Sequence, residues 1–156
     1  MNKIATLALT VILSSCLAFN KSQLSPSAMA NSNARVEKVE TTKKASSYTF
    51  TVTVSSPDTG CDKYADWWEV ITPEGELLYR RVLLHSHVEE QPFTRTGNTT
   101  VEPQQEVIVR VHMNSDGYST MAQKGTVESG FDKITLAEDF ASQLAFVEPL
   151  PKNCAF

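Results

Sequence analysis

The clearest regular pattern in the chain is an alternation of apolar and polar residues between Glu106 and Met113. Every second residue from Val107 onward is apolar, while Arg110 and His112 are among the residues between them. A period of two places successive side chains on opposite faces of a β-strand. We therefore predict a central strand with one apolar face against a core and one mostly polar face toward solvent.

Further β-strands are predicted on both sides of this stretch. Residues 48–54 alternate between aromatic or valine side chains and threonines, which is typical of a strand with one buried face. Residues 67–72 and 77–88 flank a Pro-Glu-Gly-Glu turn at 73–76, and they predict a hairpin. A last strand is expected within 120–128. Short strands separated by turn residues indicate an all-β fold, either an antiparallel sandwich or a barrel.

The pattern changes after this region and predicts a short C-terminal helix. Thr135 and Glu138 have the spacing of a capping box, in which the first residue is the N-cap and the second lies three positions later. Four apolar residues would share one face of the helix: Ala137, Phe140, Ala141 and Leu144. We expect a helix over about residues 136–145 that packs on the sandwich through this face.

The run from Val101 to Asn114 resembles the fibronectin type III pattern. In that pattern an apolar residue, any residue, a proline and a short turn lead into an alternating strand that ends near Asn. Trp67 or Trp68 would then be similar to the core aromatic of an earlier strand, although Val107 replaces the usual tyrosine. The resemblance implies an immunoglobulin/fibronectin III-like sandwich but no activity, because such sandwiches host many functions. The segment from Gly60 to Thr96 also resembles a family of uncharacterised secreted bacterial proteins, and this resemblance implies no particular function.

The N-terminal residues have the pattern of a secretory signal peptide. Lys3 precedes a mostly apolar run that ends at Leu13 and is too short for a typical membrane span. We assign residues 1–30 to export, and residues 31–47, which are polar and aperiodic, to a flexible linker. The folded domain is expected to occupy residues 48–156, and the protein is expected in the periplasm or at the cell surface.

Two cleavage positions are open. The run Leu-Ser-Ser-Cys that ends at Cys16 resembles the bacterial lipobox, and cleavage there would make Cys16 the lipidated first residue. The run Ala-Met-Ala that ends at Ala30 has the small-x-small pattern of an ordinary signal-peptidase site. The lipobox follows the apolar run directly, where the lipoprotein pathway requires it. In the second alternative Cys16 is only a bystander in the removed segment.

Charge and motif content argue against several classes of function. The formal net charge is −4 and Lys and Arg form no cluster, which disfavours nucleic acid as a partner because phosphate binding needs concentrated positive charge. Contact with a membrane is expected only through a lipid on Cys16. The sequence contains no nucleophile elbow, phosphate-binding loop or dinucleotide fingerprint, so we predict a protein without enzymatic activity.

Two cysteines, Cys61 and Cys154, remain if Cys16 is lipidated or removed. In an oxidising compartment an isolated pair is most simply a disulfide, and this one would close a loop of 93 positions (154 − 61). The alternative is a reactive or metal-binding thiol at Cys61, although no CxxC motif or nearby histidine accompanies it.

The three histidines form the one constellation that has metal chemistry. His85 and His87 are two positions apart on a predicted strand and would share a face, while His112 lies on the polar face of the central strand. If the strands are neighbours, the three imidazoles could hold Zn or Cu, since imidazole suits both ions. The alternative is three surface histidines beside Arg81 and Arg110, whose charges disfavour a cation.

Two functions from different classes are compatible with these features. The first is a non-enzymatic domain of the cell envelope, without a cofactor, that binds an envelope protein or has a structural role. The second is a periplasmic metal-binding protein that uses His85, His87 and His112. A metal titration separates them, because a specific site weakens when His87 is replaced by Ala.

Overall fold

The computed structural model describes residues 34–155. The predicted signal peptide, Cys16 and the start of the predicted linker lie outside the described residues. The described part of the chain forms nine strands and one 3₁₀ helix, which are β1 Arg35–Lys44, β2 Ser47–Ser55, β3 Ala65–Ile71, β4 Leu77–Val82, β5 Phe93–Thr99, β6 Val107–Met113, β7 Gly117–Tyr118, β8 Met121–Thr126, β9 Gly130–Thr135 and the 3₁₀ helix Ser142–Phe146. Over residues 34–155 the chain has no helix with the length and apolar character needed to span a membrane.

The strands form one sheet that curls until it is nearly a barrel. Its order is β4-β3-β6-β8-β1-β2-β5, with β7 beside β6 and β9 beside β8. All pairs are antiparallel except the short contact between β1 and β8. The two ends approach each other, since Gly97 of β5 lies so close to the ring of Tyr79 in β4 that a Cβ would collide with it. The all-β prediction is confirmed, whereas this continuous sheet does not confirm an immunoglobulin/fibronectin III-like sandwich.

Residues 35–44 are a strand, although this part of the chain is predicted to be a flexible linker. The strand β1 pairs with β2 along its whole length, and Val36 and Val39 are buried in the core. A β-bulge between Val36 and Lys38 lets these two valines, three positions apart, point to the same side. The bulge removes the period of two from the sequence, which is why the alternation does not reveal this strand.

The prediction of a central strand at 106–113 is confirmed by β6, which pairs with β3 on one side and β8 on the other. Its valines lie in the main core together with Trp68. The expectation of a solvated polar face is wrong, because every residue of β3 and β6 is buried. Arg110 and His112 lie on this second face, which is covered in part by residues 136–149, here named the C-terminal segment.

The predicted helix over 136–145 is not present. Thr135 is the last residue of β9, and the C-terminal segment contains only the short 3₁₀ helix. Three of the four residues of the expected helix face, Phe140, Ala141 and Leu144, do pack on the sheet. Ala137 is exposed, and Leu136 packs there instead. However, the carbonyl oxygens of Phe140 and Ala141 accept hydrogen bonds from Arg110. The Ala141 oxygen also accepts the Leu144 N–H three positions on, which is the spacing of a 3₁₀ helix and not of an α-helix.

The predicted strand over 77–88 is too long at its C-terminal end. Strand β4 ends at Val82, and residues 83–92 form a loop, here named the histidine loop, that leads to β5. His85 makes an isolated parallel bridge with Ala155 near the end of the chain. The two histidines of this stretch therefore belong to a loop, and their positions are set by loop contacts.

Candidate functional site

The disulfide expected between Cys61 and Cys154 is present, with 5.6 Å between the two Cα atoms. It attaches the end of the chain to the loop before β3. The adjacent Ala155 donates its backbone N–H to the carbonyl oxygen of Leu84 at 2.5 Å, next to the bridge with His85. The disulfide thus holds the tail beside the histidine loop.

The histidine loop brings together two of the three predicted metal-binding histidines. Ligand atoms of His85, His87 and Glu90 all lie within 4.8 Å of one another. Glu90 Oε2 also accepts a hydrogen bond from Arg95 Nη2 at 2.8 Å, and this bond lowers the pKa of Glu90. His112 is not a member of this group. The predicted site of three histidines is therefore not formed, because His112 makes other contacts.

The buried carboxylate of Asp58 fixes the conformation of the histidine loop through hydrogen bonds to backbone amides. Its Oδ2 accepts the backbone N–H of His87 at 2.8 Å, while its Oδ1 accepts the Ala65 N–H at 2.9 Å. The side chain of Gln91 adds a second restraint by donating to the carbonyl oxygen of His87 at 3.0 Å. A buried carboxylate with several hydrogen bonds of this kind holds a loop in one conformation.

The imidazole of His87 is buried without a polar partner. The residue is only 2% exposed, and its ring stacks on Phe93 with 3.8 Å between the ring centroids. Over residues 34–155 neither ring nitrogen has a hydrogen-bond partner, and the nearest carboxylate oxygen, Oδ2 of Asp58, is 3.8 Å from Nδ1. Burial, followed by the charges of Arg95 and His85, lowers the pKa of His87 to about 4. The ring is therefore neutral near pH 7 and has a free lone pair.

His112 lies on the second face of the sheet in an aromatic stack. Its ring lies parallel to that of Trp67 at 3.8 Å and meets the edge of Tyr118 at 4.7 Å. Its Nδ1 is 2.7 Å from Oδ1 of Asp66, whose pKa is raised above its usual value because of burial. These contacts engage one ring nitrogen and stack the ring against Trp67. They give His112 a role in packing the sheet.

A buried ionic cluster adjoins this stack. Glu69 on β3 is in register with Arg80 on β4 and with Arg110 on β6, so its carboxylate lies between two guanidinium groups. Arg80 Nη2 donates to Oε2 at 2.6 Å, and Arg110 Nε donates to Oε1 at 2.8 Å. Arg80 also donates to the carbonyl oxygens of Leu144 and Val147. The cluster therefore fastens the C-terminal segment to the sheet.

The C-terminal segment also forms one wall of an apolar groove. The groove has a volume of about 390 Å³ and is lined by Tyr118 and His112 on one side and by residues such as Ala145 and Phe146 on the other. Phe146 is 86% exposed. The side chain of Phe146 therefore lies at the surface, at the rim of the groove, and is not part of the core.

Sequence patterns did not indicate several of these residues. Polar loop residues such as Asp58 and Asp66 are expected to be solvated, yet both are buried. The pairing of Glu69 with Arg80 and Arg110 depends on strand register, which the sequence does not state. For Glu90 a local signal existed, because it lies three positions after His87, but the strand predicted over 77–88 placed it at the strand end.

Fold and site together define an all-β domain whose tail is held by a disulfide and whose C-terminal segment is held by buried arginines. A protein of Halomicrobium mukohataei described as "Putative lipoprotein" is 45% identical to this chain over 82 residues. The match covers 52% of this chain and 40% of that protein, so the chain spans less than half of the relative's length. No family model matches the sequence. No solved structure gives a significant match.

Proposed function

We propose that this protein is an exported, lipid-anchored domain of the cell envelope with a non-enzymatic binding or structural role. The observation that carries the proposal is the lipobox-like run that ends at Cys16. The description of the Halomicrobium mukohataei relative as a lipoprotein supports it. Residues 17–33 lie between Cys16 and the first described residue, Ala34, and would separate the lipid from the folded domain.

The disulfide supports export. Disulfides form and persist in oxidising compartments outside the cytoplasm, where no reducing system opens them. The bond between Cys61 and Cys154 attaches the tail to the domain across 93 positions. A role for this bond in holding the chain together is consistent with a protein that works in the envelope.

The use of the buried polar groups supports a non-enzymatic role. Glu69 accepts hydrogen bonds from two arginines, and the spare donors of those arginines bind backbone carbonyl oxygens. Asp58 and Asp66 are likewise occupied by loop amides and by His112. In Glu69 and Asp58 these partners use the carboxylate oxygens to hold strands and loops together, which favours a structural role for both residues.

Intact mass of the protein purified from the native envelope tests the anchor. We expect a chain that begins at Cys16 and carries acyl groups. The variant Cys16→Ser should lose the acyl groups, because serine has no thiol to carry the lipid. The matched control Ala30→Asp changes only the alternative cleavage position. It should keep the same first residue, the same acyl groups and the same membrane fractionation, with the mass shifted only by the difference between Asp and Ala. A mature chain that begins at Asn31 would contradict the proposal.

A further inference from the structure

The histidine loop contains a fixed imidazole that lacks a partner. His87 is almost fully buried, and within the described chain its two ring nitrogens have no hydrogen-bond partner. An unpaired buried polar group costs free energy and needs an explanation, such as an ion that binds there. The stack on Phe93 and the anchored backbone hold the ring in one orientation. His87 is therefore a preformed ligand whose ring nitrogens make no hydrogen bond to the described protein.

Two further ligands lie beside it at the surface. Side-chain ligand atoms of His85 and Glu90 lie within 4.8 Å of each other and of the His87 ring. In a tetrahedral site with metal–nitrogen bonds of about 2.0–2.1 Å, ligand atoms are about 3.3 Å apart, so the approach required is about 1–1.5 Å. Both side chains are solvent-accessible, and rotation about their side-chain bonds supplies this movement. The ring centroids of the two histidines are already 4.5 Å apart.

The charges around the group include carboxylates that stabilise a cation. Asp58 Oδ2 lies 3.8 Å from His87 Nδ1. In metal sites the ring nitrogen that does not bind the metal usually faces a carboxylate, and Asp58 has this position if Nε2 of His87 is the ligand. Arg95 binds only Oε2 of Glu90 and leaves the second oxygen of that carboxylate available. Arg95 and Arg81 also line the pocket of about 100 Å³ beside the two histidines. Their positive charge opposes the cation but favours an anion as its additional ligand.

We propose that His85, His87 and Glu90 bind one divalent transition-metal ion, of the class of Zn²⁺ or Cu²⁺. Two imidazoles and one carboxylate are a ligand set that both ions accept. The site has three protein ligands and an opening to the pocket, whereas structural zinc sites are closed by four. An ion in such a site can exchange, so the domain would capture or pass on metal. This inference goes beyond the proposed lipid anchor and does not depend on it.

Titration of the exported chain with ZnCl₂, with its disulfide intact, tests the site. Calorimetry should show one saturable ion per chain. His85→Ala and Glu90→Gln should each weaken the affinity by at least about tenfold, since even partners that only orient ligands cost that much. The matched control Glu89→Gln changes the neighbouring exposed carboxylate and should keep the affinity of the original protein. The substituted side chains lie at the surface, so the three variants are expected to fold. Melting curves check this.

A second measurement does not require substitutions. Paramagnetic Cu²⁺ should broaden the ring signals of His85 and His87 in histidine-selective NMR spectra at a lower metal concentration than those of His112, which is not a member of the group. The proposal is overturned if zinc shows no saturable binding, or if Glu89→Gln weakens binding as much as Glu90→Gln. It is also overturned if inorganic phosphate binds at the loop while zinc does not, because the arginines would then define an anion site.

Discussion

Glu69 and Arg110 lie opposite each other in the register of β3 and β6, and their side chains form an ion pair that is shielded from solvent. Arg80 binds the same carboxylate from β4, so the cluster has two positive charges and one negative charge. Removing such charges from water is costly, and the cost is offset only when hydrogen bonds satisfy all partners. The carbonyl oxygens of the C-terminal segment complete that set. The cluster therefore links the sheet to the C-terminal segment.

Loss of the central carboxylate charge should destabilise the whole domain. Glu69→Gln keeps the volume but leaves two buried guanidinium groups without a counter-charge, so we expect the free energy of unfolding to fall by about 3–5 kcal/mol. Urea unfolding measures this change. The control Glu106→Gln removes a carboxylate that is paired with Lys124 at the surface, and it should cost at most about 1 kcal/mol. Equal effects of the two variants would show that the cluster does not hold the fold.

The C-terminal segment should loosen when guanidinium donors are removed but charge is retained. In Arg110→Lys the ammonium group can still pair with Glu69, but it cannot also reach the carbonyl oxygens of Phe140 and Ala141. We expect faster amide hydrogen exchange over residues 136–149 than in the original protein, with a smaller change in β3. The exposed Arg81→Lys is the matched control and should leave the exchange pattern unchanged. Uniform acceleration across the sheet would contradict a specific role in holding the segment.

Stability should fall at alkaline pH because of Tyr118. Burial raises the pKa of Tyr118 to about 12, and the ring lies 3.4 Å from the guanidinium carbon of Arg110. Between pH about 10 and 12 the unfolded chain loses the phenolic proton and the folded chain keeps it, so stability decreases as the pH rises. The contribution is about 1–2 kcal/mol after allowance for the partial exposure of the ring.

Denaturant unfolding on both sides of pH 10 provides the measurement for Tyr118. Tyr118→Phe should have a smaller loss of stability than the original protein over this range, whereas Tyr48→Phe should behave like the original. If Tyr118→Phe loses as much stability as the original protein, the phenol of Tyr118 is not the group responsible.

The disulfide should contribute to stability and to the order of the histidine loop. Reduction should increase the intact mass by two hydrogens and lower the free energy of unfolding by up to about 4–5 kcal/mol, the chain-entropy value for a loop of this length. The double variant Cys61→Ser with Cys154→Ser should reproduce the effect and should not respond to reductant. Because the tail bonds to Leu84, we also expect faster exchange at that loop. An unchanged mass under reductant would show that the bond is absent.

Local patterns located the strands whose alternation is regular. Strands β2, β3 and β6 lie where alternation or β-branched and aromatic residues predict them. Strand β1 and the histidine loop were not predicted correctly. A β-bulge interrupts the alternation of β1, and the backbone of the histidine loop pairs with the tail at Ala155. The expected helix at 136–145 does not form. The backbone of this segment bonds three positions apart, and arginines of distant strands bind its carbonyl oxygens as well.

The sequence alone determined the all-β class, the apolar face of the central strand and the pairing of Cys61 with Cys154. Each of these follows from a local period or from the number of available cysteines. Only the tertiary structure decided that Arg110 meets Glu69, 41 positions away, and that His87 lies beside Glu90 and not beside His112. A local period shows which side chains share a face. It does not show which part of the chain covers that face, because strand register and the path of the tail bring those residues together.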